Sequence, residues 1–287
     1  MQRHTLNVNN IRMTWFEQGE GFPVVLVHGI PTSPALWRHV VPKLPDARCI
    51  AWEMIGYGGS RVQGRGRDIS VAKQADYLAD FLDAMGISYA ILGGHDLGGG
   101  VIQNLVARRP DLCAGLMLTN TISYDSWPIP SVKGLRAISG LLRRLPPAAL
   151  QPVLKMMFMR GHDTSSQAEE AMRTHCPLYA SRFGPDAFVR QIRSLDVYDT
   201  LAVSDRLAEL NVPARIVWGE ADPFQKIEYG ERLAFDLGAT LHRIPEGKHF
   251  TPEDHPEAVA QALRELLAEV PLIQAIGLNP SSEGARQ

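Results

Sequence analysis

Gly94-His95-Asp96-Leu97-Gly98-Gly99 lies where a short apolar run, Tyr89-Ala90-Ile91-Leu92, gives way to apolar residues at helical spacing from Gly98 to Arg108. A residue held at so sharp a strand-to-helix turn is crowded by its own backbone, so it needs small neighbours two positions away on either side. Gly94 and Gly98 supply them. The stretch reads as a nucleophile elbow with aspartate where serine is usual, and the helix N-terminus beneath it favours an anion. Two roles are open for Asp96 on this local reading: a nucleophile, or an ordinary helix cap, a place aspartate often takes.

Outward from the elbow the chain alternates strand-like and helix-like segments. Pro23–Val27, Arg48–Trp52 and Leu116–Leu118 are short apolar runs, most of them ended by glycine or polar residues, and Ile69–Met85 carries apolar residues at helical spacing. Apolar strands without polar alternation predict a parallel sheet covered on both faces. The βαβ order predicts a doubly wound, mostly parallel α/β sheet. At the front, Thr5–Val8 and Ile11–Phe16 alternate around Asn9-Asn10, the pattern of an antiparallel hairpin. From about Tyr124 to Asp205 prolines break the pattern into short helices, and Met156-Met157-Phe158-Met159 is apolar throughout. This predicts a helical lid, residues 124–205, inserted between core segments 1–123 and 206–276. Strands resume at Ala214–Trp218 and Thr240–Ile244, a last helix runs from about Pro256 to Val270, and 277–287 has the composition of a flexible tail.

Further residues join Asp96. His28-Gly29-Ile30-Pro31 follows the third strand, where backbone N–H groups of Ile30 and Leu97 are placed to form an oxyanion hole. His249, in Gly247-Lys248-His249-Phe250, stands after the last strand, where a base must stand; a lone histidine there is otherwise a structural residue. Asp222, just past a strand end in Trp218-Gly219-Glu220-Ala221-Asp222, is the expected acid. Glu220 competes locally, and the alternative acid position falls near Asn120, a neutral side chain that would substitute poorly.

Composition bounds the rest. The chain has 287 residues, 45% hydrophobic and 21% charged, with a formal net charge of −2. That describes a globular protein with no electrostatic footprint for nucleic acid. Cys49, Cys113 and Cys176 are far apart and show no metal spacing, which fits free thiols in a reducing compartment. The N-terminus has no signal-like apolar core, and no run is long enough to span a bilayer, so a cytoplasmic protein with no membrane partner is expected. His162 and His175 lack a ligand-spaced partner set, so neither metal nor cofactor is expected. Gly56-Tyr57-Gly58-Gly59-Ser60 lacks the spacing of a phosphate loop and fits a turn after the fourth strand. Nothing in the sequence indicates an oligomeric state.

From about Asn7 to Val270 the chain resembles the α/β-hydrolase family, specifically its aspartate-nucleophile branch of haloalkane dehalogenases and epoxide hydrolases. The resemblance is carried by the Gly-His-Asp elbow, by His28-Gly29-Ile30-Pro31-Thr32-Ser33 with Leu36-Trp37-Arg38, and by His249-Phe250 with Glu253-Asp254. It implies two steps: Asp96 attacks an electrophilic carbon to give an alkyl-enzyme ester, and His249, oriented by Asp222, activates the water that hydrolyses it. Dehalogenases of this family place side-chain N–H donors for the halide where this chain has Ile30 and Leu97, and the fluoroacetate-specific subgroup has arginines where this chain has Leu97 and Gly100. Trp127 is a candidate replacement donor. Epoxide opening needs a proton donor for the alkoxide, normally a lid tyrosine, and Tyr124, Tyr179 and Tyr198 are the candidates. The sequence-based expectation is therefore hydrolysis of a small apolar epoxide to a diol, with haloalkane dehalogenation as the alternative. A ligand receptor or a cofactor-free lyase or oxygenase on the same fold is the reading from another class.

Overall fold

The computed structural model describes residues 1–275; the tail expected at 277–287 lies outside the described residues. Eight strands form one sheet in the order β1-β2-β4-β3-β5-β6-β7-β8. β1 (Gln2–Val8) and β2 (Ile11–Gln18) make the hairpin expected at the front, with Val8 opposite Ile11. Asn9 and Asn10 turn the chain at φ 48° and 60°, the left-handed pair that a tight two-residue hairpin demands and that asparagine tolerates. β2 runs antiparallel to β4 (Ala47–Glu53). From there β3 (Phe22–Val27), β5 (Ala90–Asp96), β6 (Cys113–Thr121), β7 (Ala214–Gly219) and β8 (Thr240–Ile244) are parallel neighbours. β5 and β6 are buried along their whole length, which is why both lack polar alternation.

The crossover helices cover the sheet on both faces. α1 (Val71–Ala84) packs on α2 (Leu97–Arg108), which lies along β5. A Cβ on Gly94 would collide with Gly99 of α2, whereas one on the adjacent Gly93 would face Leu263 of the C-terminal helix. Alternate residues of β5 thus look to opposite layers. The Gly56–Ser60 stretch is the turn after β4: the buried Glu53 carboxylate accepts the Gly59 N–H at 2.7 Å and the Ser60 hydroxyl at 2.6 Å.

Between β6 and β7 the chain leaves the sheet for six helices: α3 (Pro130–Ala137), α4 (Ser139–Leu142), α5 (Gln151–Gly161), α6 (Ser165–His175), α7 (Gly184–Arg193) and α8 (Tyr198–Leu207). α8 runs two residues past Asp205 and is pinned to the core, where Asn104 donates to the Asp199 carbonyl and the Val71 N–H to the Asp199 carboxylate. α9 (Ile227–Asp236), the short α10 (Thr251–Asp254) and α11 (Pro256–Ala275) complete the chain. No helix among the described residues is long and apolar enough to cross a membrane.

Candidate active site

Asp96 is the last residue of β5 and stands at φ 51°, ψ −122°, a backbone conformation rare for any side chain but glycine. Its two glycine neighbours are sterically required: a Cβ on Gly98 would lie 2.2 Å from the Val27 carbonyl oxygen, and one on Gly94 2.6 Å from Gly99. The carboxylate makes no capping hydrogen bond to the first turn of α2. Instead its Oδ2 accepts the backbone N–H of Ile30 at 2.9 Å. Burial pushes the Asp96 carboxyl up to about 6, against the pull of the His249 charge and of the backbone N–H groups of Ile30 and Leu97. The Ile30 N–H, expected to form part of an oxyanion hole, therefore faces the carboxylate itself.

His249 shares a cavity with Asp96. Its Nδ1 donates to Asp222 Oδ2 at 2.8 Å, which leaves Nε2 as the basic nitrogen. Burial works to keep the imidazole neutral, but Asp222, through its charge and its hydrogen bond, raises it above its ordinary value, with Asp96 adding to the effect. Asp222 is buried and, besides the histidine, accepts two further hydrogen bonds: the Phe224 N–H on Oδ1 at 2.7 Å and the Asn120 amide on Oδ2 at 2.7 Å. Glu220, the local competitor, is instead paired at the surface with Arg243.

Asn120, set aside in the sequence reading as a poor acid, is a hydrogen-bond partner of Asp222. Its Nδ2 donates to Asp222 while its Oδ1 accepts the Gly219 N–H at 3.0 Å, so it fixes the acid to the end of β7. Its φ of 39° marks a strained position at the end of β6. His95 was likewise passed over. Burial keeps it neutral, so its Nε2–H donates to the His249 carbonyl at 2.9 Å while its ring lies 4.7 Å from the His249 ring.

The insertion reaches this loop directly. The carbonyl of Gly161, at the end of α5, accepts the N–H of His249 at 2.9 Å and of Phe250 at 3.2 Å, and Asp163 accepts the Lys248 N–H at 2.7 Å. Behind it, buried Glu253 pairs with Arg38 from the core and with His162 and His175 from the insertion. Burial would raise Glu253, but His175, Arg38 and His162 hold it at about 2. The two stretches that carried the family resemblance, around Arg38 and around Glu253, thus meet in space.

The cavity above Asp96 measures about 60 Å³, room for only a few small groups. Its wall is mostly apolar, with Ile30, Leu97 and Ile122 from the core, Trp127, Val132, Leu135, Met156, Met157 and Leu195 from the insertion, and Phe224 and Phe250 beside His249; Ser131, Arg160 and Gln225 are its polar members besides Asp96 and His249. The three tyrosines proposed as proton donors are not there. Tyr124 gives its hydroxyl to Asp236 at 2.6 Å under the Arg232 guanidinium, Tyr179 gives its hydroxyl to Gln191 at 2.9 Å in a buried contact, and Tyr198 is 72% exposed. None of the three lines the cavity. Trp127 does line it, but its indole N–H is committed to Thr200 at 2.7 Å. No cluster of metal-ligating side chains occurs among the described residues.

A parallel sheet with an aspartate elbow, followed in chain order by an acid and a histidine, defines a class, and the comparisons agree with it. The α/β-hydrolase fold model matches residues 23–256; the chain belongs to that family. It is similar to haloalkane dehalogenase 2 of Mycobacterium tuberculosis, 28% identical over 88% of this chain and 91% of that protein. It is also similar to a cis-3-alkyl-4-alkyloxetan-2-one decarboxylase of Shewanella oneidensis, 26% identical over 98% of this chain and 92% of that protein. Among solved structures, an α/β-hydrolase fold protein from Burkholderia ambifaria superposes with a TM-score of 0.84 at 27% identity, covering 91% of this chain and 97% of that one. The protein is an enzyme of the α/β-hydrolase type, with haloalkane dehalogenases among the proteins it is similar to.

Proposed function

We propose that the enzyme hydrolyses small apolar haloalkanes through an alkyl ester on Asp96, the alternative of the sequence reading rather than its first choice. The observation that carries this order is the absence of any tyrosine from the cavity lining. An alkoxide leaving from an epoxide must be protonated, and the acids expected to do so hold hydrogen bonds elsewhere or face solvent. A halide leaves as a stable anion and needs no proton. The dehalogenase relative supports the same preference.

In the first step an Asp96 oxygen bonds to the carbon while the carbon–halogen bond breaks with its electron pair on the halogen. In the second, His249 takes a proton from water, the hydroxide attacks the ester carbonyl, and the Ile30 and Leu97 N–H groups steady the oxyanion. The alcohol departs, Asp96 is regenerated, and His249 gives up its proton to solvent. Asp222 holds the imidazole tautomer throughout. The insertion serves as a lid whose methionines close the apolar wall. Buried free thiols at Cys49, Cys113 and Cys176 fit a cytoplasmic location.

The test is the intact mass of His249→Gln after soaking with alkyl bromides and, separately, with matched epoxides. Without the base the ester accumulates. A plain alkyl increment on Asp96 is expected; a hydroxyalkyl increment from the epoxides with none from the bromides would reverse the order of the two readings.

A further inference from the structure

Gln225 is a buried polar side chain of this cavity that makes no side-chain hydrogen bond. It is 3% exposed, it lines the space shared by Asp96 and His249, and its amide oxygen has no hydrogen-bond partner. A buried polar group left unpaired destabilises the native state, a cost that a leucine of similar size would avoid. The backbone that carries it is fixed on both sides. Trp218 Nε1 donates to the Gln225 carbonyl at 3.1 Å, and the Phe224 N–H donates to Asp222 at 2.7 Å. The amide is therefore held by the same loop that orients His249, and rotation about its last torsion turns either its NH2 or its carbonyl inward.

The other donors closest to the nucleophile are spent, and Ser131 and Arg160 line the mouth that this space shares with a second hollow outside it. The Ile30 N–H holds the Asp96 carboxylate, and the Trp127 N–H holds Thr200. An anion forming in the apolar end of the cavity without a donor would be poorly stabilised.

We propose that the Gln225 side-chain amide is the seat of the leaving anion: its N–H donates to the halide as the carbon–halogen bond breaks. The inference rests on the haloalkane reading above. No proton moves in this step, and an amide has none to give at neutral pH, so the same group could not serve an epoxide's alkoxide. It is distinct in kind and place from a donor beside the nucleophile, because it arrives from the loop after β7.

The experiment uses the full chain carrying Gln225→Leu, with Gln225→Glu as an isosteric variant that repels anions. In the His249→Gln background, the rate of adduct formation is followed by mass with 1-chloro-, 1-bromo- and 1-iodobutane. Gln225→Leu should slow the chloride about 100-fold and the iodide far less, since a poorer leaving group depends more on the donor. Equal slowing of all three would reduce Gln225 to a packing residue and overturn the proposal. Sodium bromide binding, measured by calorimetry on protein with His249 intact, gives a second readout free of turnover. Binding should weaken at least about 10-fold in both variants; bromide that binds Gln225→Leu as well as wild type, or does not bind wild type, would overturn the anion seat. If no haloalkane forms an adduct at all, the haloalkane reading fails by itself, and the bromide titration alone decides for or against Gln225.

Discussion

At the scale of single residues, Asp96 is placed at the expense of stability. It sits in a left-handed backbone conformation, fully surrounded by protein, and burial lifts its carboxyl from 3.8 to about 6. A carboxyl raised in the native state favours folding only while it is protonated. Its contribution is present below the unfolded value near 3.8 and is lost as pH climbs through about 6. The full difference corresponds to about 3 kcal/mol held against the native state at neutral pH. Asp96→Asn keeps the shape and an acceptor for the Ile30 N–H while removing the buried charge. It should abolish ester formation yet raise unfolding free energy by about 1–3 kcal/mol at pH 8, with roughly a third of that gain left at pH 4.5. Urea unfolding at the two pH values checks both the size and the direction; a gain that does not depend on pH would mean relief of backbone strain and not of charge.

At the scale of elements, the contact that matters most joins the end of α5 to the loop bearing His249. Gly161 can accept the two N–H groups of His249 and Phe250 only because it has no side chain: a Cβ there would lie 2.5 Å from the Phe250 ring and 2.9 Å from the Phe224 ring. Phe224 in turn meets the His249 ring edge-on at 5.1 Å. Gly161→Ala should therefore push both rings and the histidine, lowering the rate at least about 10-fold and stability by about 1–3 kcal/mol. Gly134→Ala in α3, where nothing lies within 4 Å, should leave the rate unchanged and stabilise by about 0.5–1 kcal/mol. Steady-state kinetics and thermal melts on the pair separate a loop-positioning effect from a general helix effect. This tie was illegible in the sequence, because Gly161 and His249 carry no pattern that links them. What was legible had short range or a regular period. Apolar runs fixed the positions of β3 to β8, Asn9-Asn10 announced the hairpin, and glycine spacing marked Asp96. The parts of Asn120 and Gln225 escaped notice because each acquires its meaning from a partner or cavity wall assembled by folding. The tyrosines were misplaced for the same reason: that a tyrosine lies in the insertion does not tell which space its hydroxyl enters.

At the scale of the whole molecule, the sheet supplies the chemistry and the insertion supplies the volume. Asp96, Asp222 and His249 all follow strand ends of the parallel half of the sheet, the end at which such sheets place their sites. Much of the opposite wall comes from α3, α5 and the segment leading into α3, so the insertion bounds the space above Asp96, with α5 tied to the His249 loop through Gly161. A second, wider hollow continues outward past Pro128, Ile129, Ser131, Arg160 and Phe224, which line both spaces, and its rim carries Lys133 and Lys226. The arrangement is a funnel with a charged rim and a narrow apolar end of about 60 Å³. A chain of a few carbons fits with its reactive end at Asp96; a longer one must keep its tail in the wider, wetter space and gains less from burial. Across 1-bromobutane, 1-bromohexane and 1-bromodecane, kcat/KM should fall with length. Met157→Ala, which removes wall on the α5 side without touching the catalytic residues, should shift the optimum to the longer bromides while leaving the pH profile in place. An unchanged length preference in that variant would mean that the alkyl chain does not lie in this cavity, and the substrate class would have to be sought among molecules that react from the outer hollow.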